Sequence, residues 1–391
     1  MRDILFLAHR APFPPDRGDR IRSFHVLSHL ARRARVHLVA FADDPRDAQV
    51  PPAFAGMLAS CTIVPRGKSP ARAAIEALAQ GRAVSLAAFD DARVHAAVRD
   101  VMARHPVAVA YAFSGQMAQY LPAGVRRVMD FVDADSAKFA AYAAKARGPM
   151  RWMMAREARL LARWEREVTA RVDASLFVSA AEAALVPGAR VLENGIDARR
   201  FDPAAVFVPV VGQGRLIVFT GQMDYRPNVE AVVAFARDIL PQVRAVHPDV
   251  RFAIVGRAPT AAVRALASEA VLVTGEVPDV RGWLAAAAVA VAPLMLARGV
   301  QNKVLEAMAM ARPVVASPAA AQGIDHAGTI GVAEGAAGGA AAVVDLLSDR
   351  DGAARLGQAA RARVLARYDW DACLAPLDAL IGMSTDERAA A

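Results

Sequence analysis

Short apolar runs bounded by polar residues recur along this chain, separated by loops and by stretches long enough for helices. In the first half strands are expected at 4–8, 36–41, 62–64, 107–112, 126–131 and 174–178. Helices are expected near 19–33, 69–79, 91–104 and 150–170. The run at 4–8 is continuously apolar and bounded by polar residues, the pattern of a strand buried on both faces of a parallel sheet. Asn194-Gly195 ends a short strand in a turn, and the loop that follows to Gly214 carries Pro203, Pro209 and Gly212. A domain boundary belongs there. A second series then runs through strands at 216–220, 251–255, 270–274, 289–292, 313–317 and 329–333, with helices near 229–240, 302–310, 335–348 and 351–367. A chain of 391 residues accommodates two domains of ordinary size. The expected fold class is α/β: two doubly wound domains, 1–195 and 196–369, with ligands at the carboxyl ends of the strands.

The formal net charge is +8, and lysine stands only at 68, 138, 145 and 303, so the basic excess is nearly all arginine. Such a balance suits polyphosphates, anionic membrane surfaces or nucleic acid. The basic residues are scattered, with no aromatic-interleaved tract and no nucleic-acid motif, so nucleic acid is not an expected partner. Cys61 and Cys373 alone make neither a zinc site nor a disulfide framework, and neither metal nor cofactor is expected. The apolar run after Asp3 is too short for a signal-peptide core, and the one at 283–297 is interrupted by Pro293. The expected location is the cytoplasm, with contact at the inner face of the cytoplasmic membrane as an option.

The stretch richest in chemistry is 298–315. It reads as a loop containing Arg298 and Gly299, a helix of about three turns, and a turn into a buried strand. Asn302 is placed to cap the helix, because its side chain can accept from free first-turn amides. Lys303 then lies where a helix N-terminus already favours an anion. Glu306 follows one turn later on the same face, while Leu305, Met308 and Ala309 can pack the other side. These groups suit a ligand with a phosphate at one end and hydroxyls at the other, as in a nucleotide-sugar.

Gly221 directly follows the strand at 216–220. The next loop leads to Asn228, read as a helix cap, and carries Arg226, placed to meet an anion between the domains. In the first half, Gly18 permits close backbone approach after the first strand; a proline-rich turn capped by Asp19 fits the same residues. Asp130, Asp133 and Asp135 cluster at one strand end, where acids orient hydroxyls or act as a base, or serve as caps and arginine partners. Asp133 is the candidate among them. The helix at 150–171 carries Trp152, Met153, Met154 and Trp164 among many arginines. That suits an anionic membrane surface, but Glu157, Glu165 and Glu167 dilute the charge, and a helix packed on a sheet shows the same stripe. Packing is the preferred reading.

No G-x-G-x-x-G, Walker A, G-x-S-x-G or H-E-x-x-H sequence is present. The chain instead resembles the family-4-type glycosyltransferases of the GT-B fold, in particular the sugar transferases of bacterial exopolysaccharide and exosortase (PEP-CTERM) systems. The residues that carry the resemblance are 10–19, 130–133, 194–197, 219–228 and 298–310. It implies two Rossmann-like domains facing across a cleft, the donor mainly on the second, and a C-terminal helix crossing back so that 370–391 belongs with the first. It also implies that Glu306 holds the donor ribose, that Asn302, Lys303 and Val304 meet the diphosphate, and that Gly18, Gly221 and Arg226 approach the same phosphates. Arg298 stands where the family's first glutamate would be, which implies a different sugar or phosphate contact. Ala311 replaces the glycine that usually ends the helix, and a left-handed alanine there costs roughly 1 kcal/mol.

The activity implied is transfer, with retention of configuration and without a metal, of a sugar from a nucleotide-diphosphate donor to a glycan or polyprenyl-linked acceptor. Lys303 and Arg226 would stabilise the leaving group and Asp133 would face the acceptor. Two other functions fit the same residues: a GT-B nucleotide-sugar epimerase, and a catalytically weakened nucleotide-binding member of an export complex.

Overall fold

The computed structural model describes residues 2–15, 18–210, 214–297 and 300–382. Two compact units emerge: residues to Asn194 together with those from Cys373 onward, and Gly195–Ala372. The sequence reading set these crossings at 195/196 and 369/370.

In the first unit seven strands form one parallel sheet: β1 (Asp3–Ala8), β2 (Arg35–Ala42), β3 (Ser60–Pro65), β4 (Val107–Phe113), β5 (Arg126–Val132), β6 (Ala174–Phe177) and β7 (Arg190–Val191). Their order is β3-β2-β1-β4-β5-β6-β7, so the winding reverses between β1 and β4. β1 is buried along its whole length, as its unbroken apolar run requires. The helix Gly18–Ala31 starts one residue before the expected cap: Asp19 lies inside the first turn, and its carboxylate is taken by Arg10 and by His9 at 3.4 Å. The helix Asp135–Lys145 was not anticipated, because its acids drew attention as site candidates. It packs against the long helix Gly148–Thr169.

The second unit is a six-stranded parallel sheet of β8 (Leu216–Thr220), β9 (Arg251–Val255), β10 (Val271–Gly275), β11 (Ala287–Ala292), β12 (Val314–Ala316) and β13 (Gly331–Val332). The order is β10-β9-β8-β11-β12-β13, reversing between β8 and β11. The helix expected at 229–240 begins earlier, at Arg226, and runs on to Val246 through a π turn at Phe235–Ile239. Pro241 explains the irregularity, since it offers no N–H to the helical ladder. The helix after β11 spans Asn302–Ala309 and ends in a left-handed residue, Ala311, with φ 53°. The alanine methyl is buried there, so burial of roughly 0.8 kcal/mol per methyl-sized group offsets much of the backbone strain.

A buried polar network ties the first unit together. The Arg22 guanidinium donates to Asp130 (Nε 3.1 Å, Nη2 3.2 Å) and to the Asn194 side chain (2.8 Å), and the Tyr111 hydroxyl donates to Asp130 at 2.7 Å. Arg22 and Asp130 are almost wholly inaccessible. His29 and Arg33 hold Asp378 at 2.7 and 3.0 Å, fastening the terminal helix Trp370–Leu380 to this unit. In the second unit Gly195 is pressed on Trp370: a Cβ would sit 2.7 Å from the Trp370 Cα. Removing one partner of a buried ion pair strands the other charge, at about 3–5 kcal/mol. Asp130→Ala is therefore expected to lower unfolding free energy in denaturant titration by about that much, and Tyr111→Phe by only about 1 kcal/mol.

Candidate functional site

At the carboxyl end of β8 the chain turns at Gly221, and its neighbour β9 ends in Gly256. The two backbones touch. A Cβ on Gly256 would lie 1.7 Å from the Gly221 oxygen, so glycine is required there. A Cβ on Gly221 would lie 2.8 Å from Asn228 Nδ2 and 3.2 Å from Lys303 Nζ. This bare floor leaves room for Lys303, whose amine lies 4.2 Å from the Phe219 ring centroid and donates to Asn228 Oδ1 at 2.5 Å. Asn228 is in turn fixed by donating to the Gln222 carbonyl at 2.9 Å.

Around this floor opens a pocket of about 520 Å³, lined among others by Gly221, Arg257, Glu276, Asn302, Lys303 and Glu306. It lies at the carboxyl ends of β8, β9 and β10 and the loop after β11, where ligands bind in doubly wound sheets. Burial lowers the Lys303 amine to about 8, against the opposing pull of Glu306. Burial raises the Glu306 carboxyl to about 7, with Arg200 and Lys303 working the other way. The first-turn amides of the helix add a partial positive charge. The assembly can hold an anion beside Lys303 and accept from hydroxyls at Glu306. A second cavity of about 540 Å³ in the same unit, between Phe235, Leu294, Ala319 and Val343, carries only Asp238 and Glu334 as charged lining and does not suit an anion.

Lys303, Asn302, Glu306 and Gly221 thus come together. Asn302 is corrected in one respect: it is the first residue of the helix, not its cap. Gln301 takes the extended cap conformation, and its carbonyl accepts from the amides of Val304 and Leu305. Val304 is buried in the core, leaving only its backbone for a ligand. Arg226 does not line the pocket; it is exposed in the first turn of its helix and pairs with Glu230 at 2.7 Å. Asn228, expected as a cap, is instead the bridge to Lys303. Arg298 and Gly299 lie outside the described residues. The residue that sequence reasoning missed is Arg257, which lines the pocket and donates to Gln222 Oε1 at 3.1 Å. Its position directly after Gly256 was the available signal.

Gly18 and Asp133 belong to the first unit. Gly18 opens its helix with empty space where a Cβ would be. Asp133 follows Val132, a β-branched residue at φ 71°, and such strain persists only where surroundings impose it. Asp133 is exposed; partial burial of its carboxyl raises its pKa, with Glu182 and Asp135 adding to the effect. Among the described residues, Asp3, His37 and His105 form a group with metal-ligating atoms in mutual reach. It lies at the amino ends of the strands, and His37 is engaged by Ser60 at 2.8 Å and Asp3 at 3.3 Å.

The sequence model of a family described as glycosyl transferases group 1 matches residues 214–349, about a third of the chain and most of the second unit. No curated protein matches. Among solved structures, sucrose-phosphate synthase from Thermosynechococcus elongatus is similar with a TM-score of 0.62 at 18% identity, covering 100% of both chains. HepE of Anabaena in complex with UDP-glucose gives 0.60 at 15% identity, covering 97% of this chain and 99% of its own. A glycosyltransferase from Rickettsia africae gives 0.63 at 13% identity, covering 98% and 100%. The fold is that of the GT-B glycosyltransferases: two parallel-sheet α/β domains of seven and six strands.

The raised Glu306 pKa has a consequence for stability. The folded state retains a proton between the ordinary value of 4.5 and about 7, so stability falls as pH rises through that window and stays lower above it. Glu306→Gln abolishes the titration. It is expected to be more stable than the parent at pH 8, by on the order of 1–2 kcal/mol, with the gain shrinking towards pH 4.5. Thermal melts across pH check this; a gain independent of pH would contradict it.

Proposed function

We propose that the protein is a glycosyltransferase that takes a sugar from a nucleoside-diphosphate donor bound on the second unit. The observation that carries this reading is the Lys303 amine, held over a two-glycine floor beside a helix N-terminus, with the Glu306 carboxyl one turn deeper. Lys303, the first-turn amides and Arg257 would meet the diphosphate, and Glu306 the ribose hydroxyls. As the bond from the sugar to the diphosphate breaks, negative charge grows on the phosphate oxygens and these donors stabilise it. The match of the second unit to glycosyl transferases group 1 supports the reading, as does the UDP-glucose bound by the similarly folded HepE. We further propose retention of configuration, no metal requirement, and a glycan or polyprenyl-linked acceptor in exopolysaccharide synthesis at the inner face of the membrane. Asp133, in the first unit, would orient the acceptor hydroxyl.

The test is a thermal-shift panel of UDP-, GDP-, ADP- and TDP-sugars, followed by turnover with lipid-linked acceptors. One donor is expected to stabilise the protein and to be consumed only when acceptor is present, at a rate that chelator leaves unchanged. Lys303→Ala should lower kcat about a hundredfold, and Glu306→Ala should chiefly weaken donor binding. Transfer by Lys303→Ala at the parent rate would remove the central role assigned here. Product from donor alone would indicate an epimerase, and binding without turnover of any donor a non-catalytic nucleotide-binding protein.

A further inference from the structure

In the first unit, the helices Pro70–Ala79, Asp135–Lys145 and Gly148–Thr169 leave large apolar side chains in solvent. Ile75 is 69% exposed, Trp152 57% and Leu78 56%, and Tyr142, Met150 and Met153 are also exposed. The last two helices pack on each other. Arg156, one turn beyond Trp152 and Met153, donates to the Ala77 carbonyl at 3.2 Å, between Ile75 and Leu78 in sequence. These side chains therefore share one region of the surface. Packing explains the inward stripe of Ala158, Leu161 and Val168; it does not explain the first two turns, where Met150, Trp152 and Met153 touch water.

The charge around them is mostly basic: Glu76, between Ile75 and Leu78, is taken by Lys68 at 2.6 Å and Arg72 at 2.8 Å. Residues 136–164 hold seven basic side chains and a single acid, Glu157. Glu157 is buried and accepts from the Val84 and Ser85 amides at 2.8 Å each. Glu165 is likewise buried, accepting from the Ser136 amide at 2.9 Å. Two of the acids that dilute the charge in the sequence are thus turned into the core, and the third, Glu167, is occupied by Arg163 and Arg171. Lys145, Arg147, Arg151 and Arg159 remain exposed.

We propose that this face docks on an anionic lipid bilayer, with Trp152, Met150, Met153, Ile75 and Leu78 entering the headgroup–acyl boundary and the arginines meeting lipid phosphates. Tryptophan and aliphatic tips ringed by cations are the chemistry of an interfacial surface. A second copy fits less well, since an isologous contact sets the same cationic patch against itself. The inference deepens the membrane location proposed above by naming the surface that makes the contact, and its test is independent of sugar transfer because nothing in it requires the nucleotide pocket.

The experiment is flotation of the full chain with vesicles of phosphatidylcholine alone, or with about a third phosphatidylglycerol. The protein should float with the anionic vesicles, less so as salt rises, and stay behind with the neutral ones. Trp152→Ser with Met153→Ser, and Arg147→Glu with Arg151→Glu, should each cut the bound fraction roughly tenfold at unchanged Tm. Failure to float with either vesicle, or variants that float like the parent, would overturn the proposal. So would a parent dimer in sedimentation that the Trp152→Ser, Met153→Ser variant loses, which would assign the face to a second copy.

Discussion

A lysine and a glutamate one helical turn apart, both drawn partly out of water, set the terms on which the second unit is built. Withdrawing Lys303 from solvent is possible only because Gly221 and Gly256 bring two strand ends into backbone contact and leave its amine a berth beside Phe219 and Asn228. Neither charge is at ease. Burial depresses the lysine to about 8 and raises the glutamate to about 7, so near neutral pH each costs the empty protein stability. For the lysine, stability is regained as pH rises from about 8 towards its ordinary 10.5; for the glutamate it is lost between 4.5 and about 7. An anion beside Lys303 and hydroxyls at Glu306 would relieve both.

Much of the scaffold was legible because parallel strands buried on both faces announce themselves as unbroken apolar runs. The helix after β11 was legible too, from its apolar stripe and the polar residues at its start; Ala311, where the family resemblance puts a glycine, is left-handed in the structure. Caps were not. Asp19, Asn228 and Asn302 each lie inside the helix they were expected to cap, because the true start depends on how the preceding loop leaves its strand. A second basic residue of the pocket was missed. Arg226 is close to Gly221 in sequence, whereas Arg257 reaches the same pocket because β9 pairs with β8. Strand neighbours in a parallel sheet lie tens of residues apart, and only the fold reveals them.

Charge counting in the first unit failed for a related reason. The sequence weighs Glu157 and Glu165 as diluting the charge of the long helix, but the structure spends both on internal hydrogen bonds. What remains outside is more basic than the composition suggests. Burial of acids thus shapes the exterior as well as the core, and the Arg22–Asp130–Tyr111 network and the cationic face of the long helix follow from the same partition.

The central claim is that Lys303 recognises a diphosphate. It is tested most directly by titration calorimetry of nucleoside diphosphates against the matching monophosphates, UDP with UMP and GDP with GMP, for the parent and Lys303→Ala. The parent should bind one diphosphate at least about tenfold more tightly than its monophosphate, a difference of about 1.4 kcal/mol, and Lys303→Ala should lose most of that difference while keeping its affinity for the monophosphate. An equal preference for the diphosphate in both proteins would contradict the account.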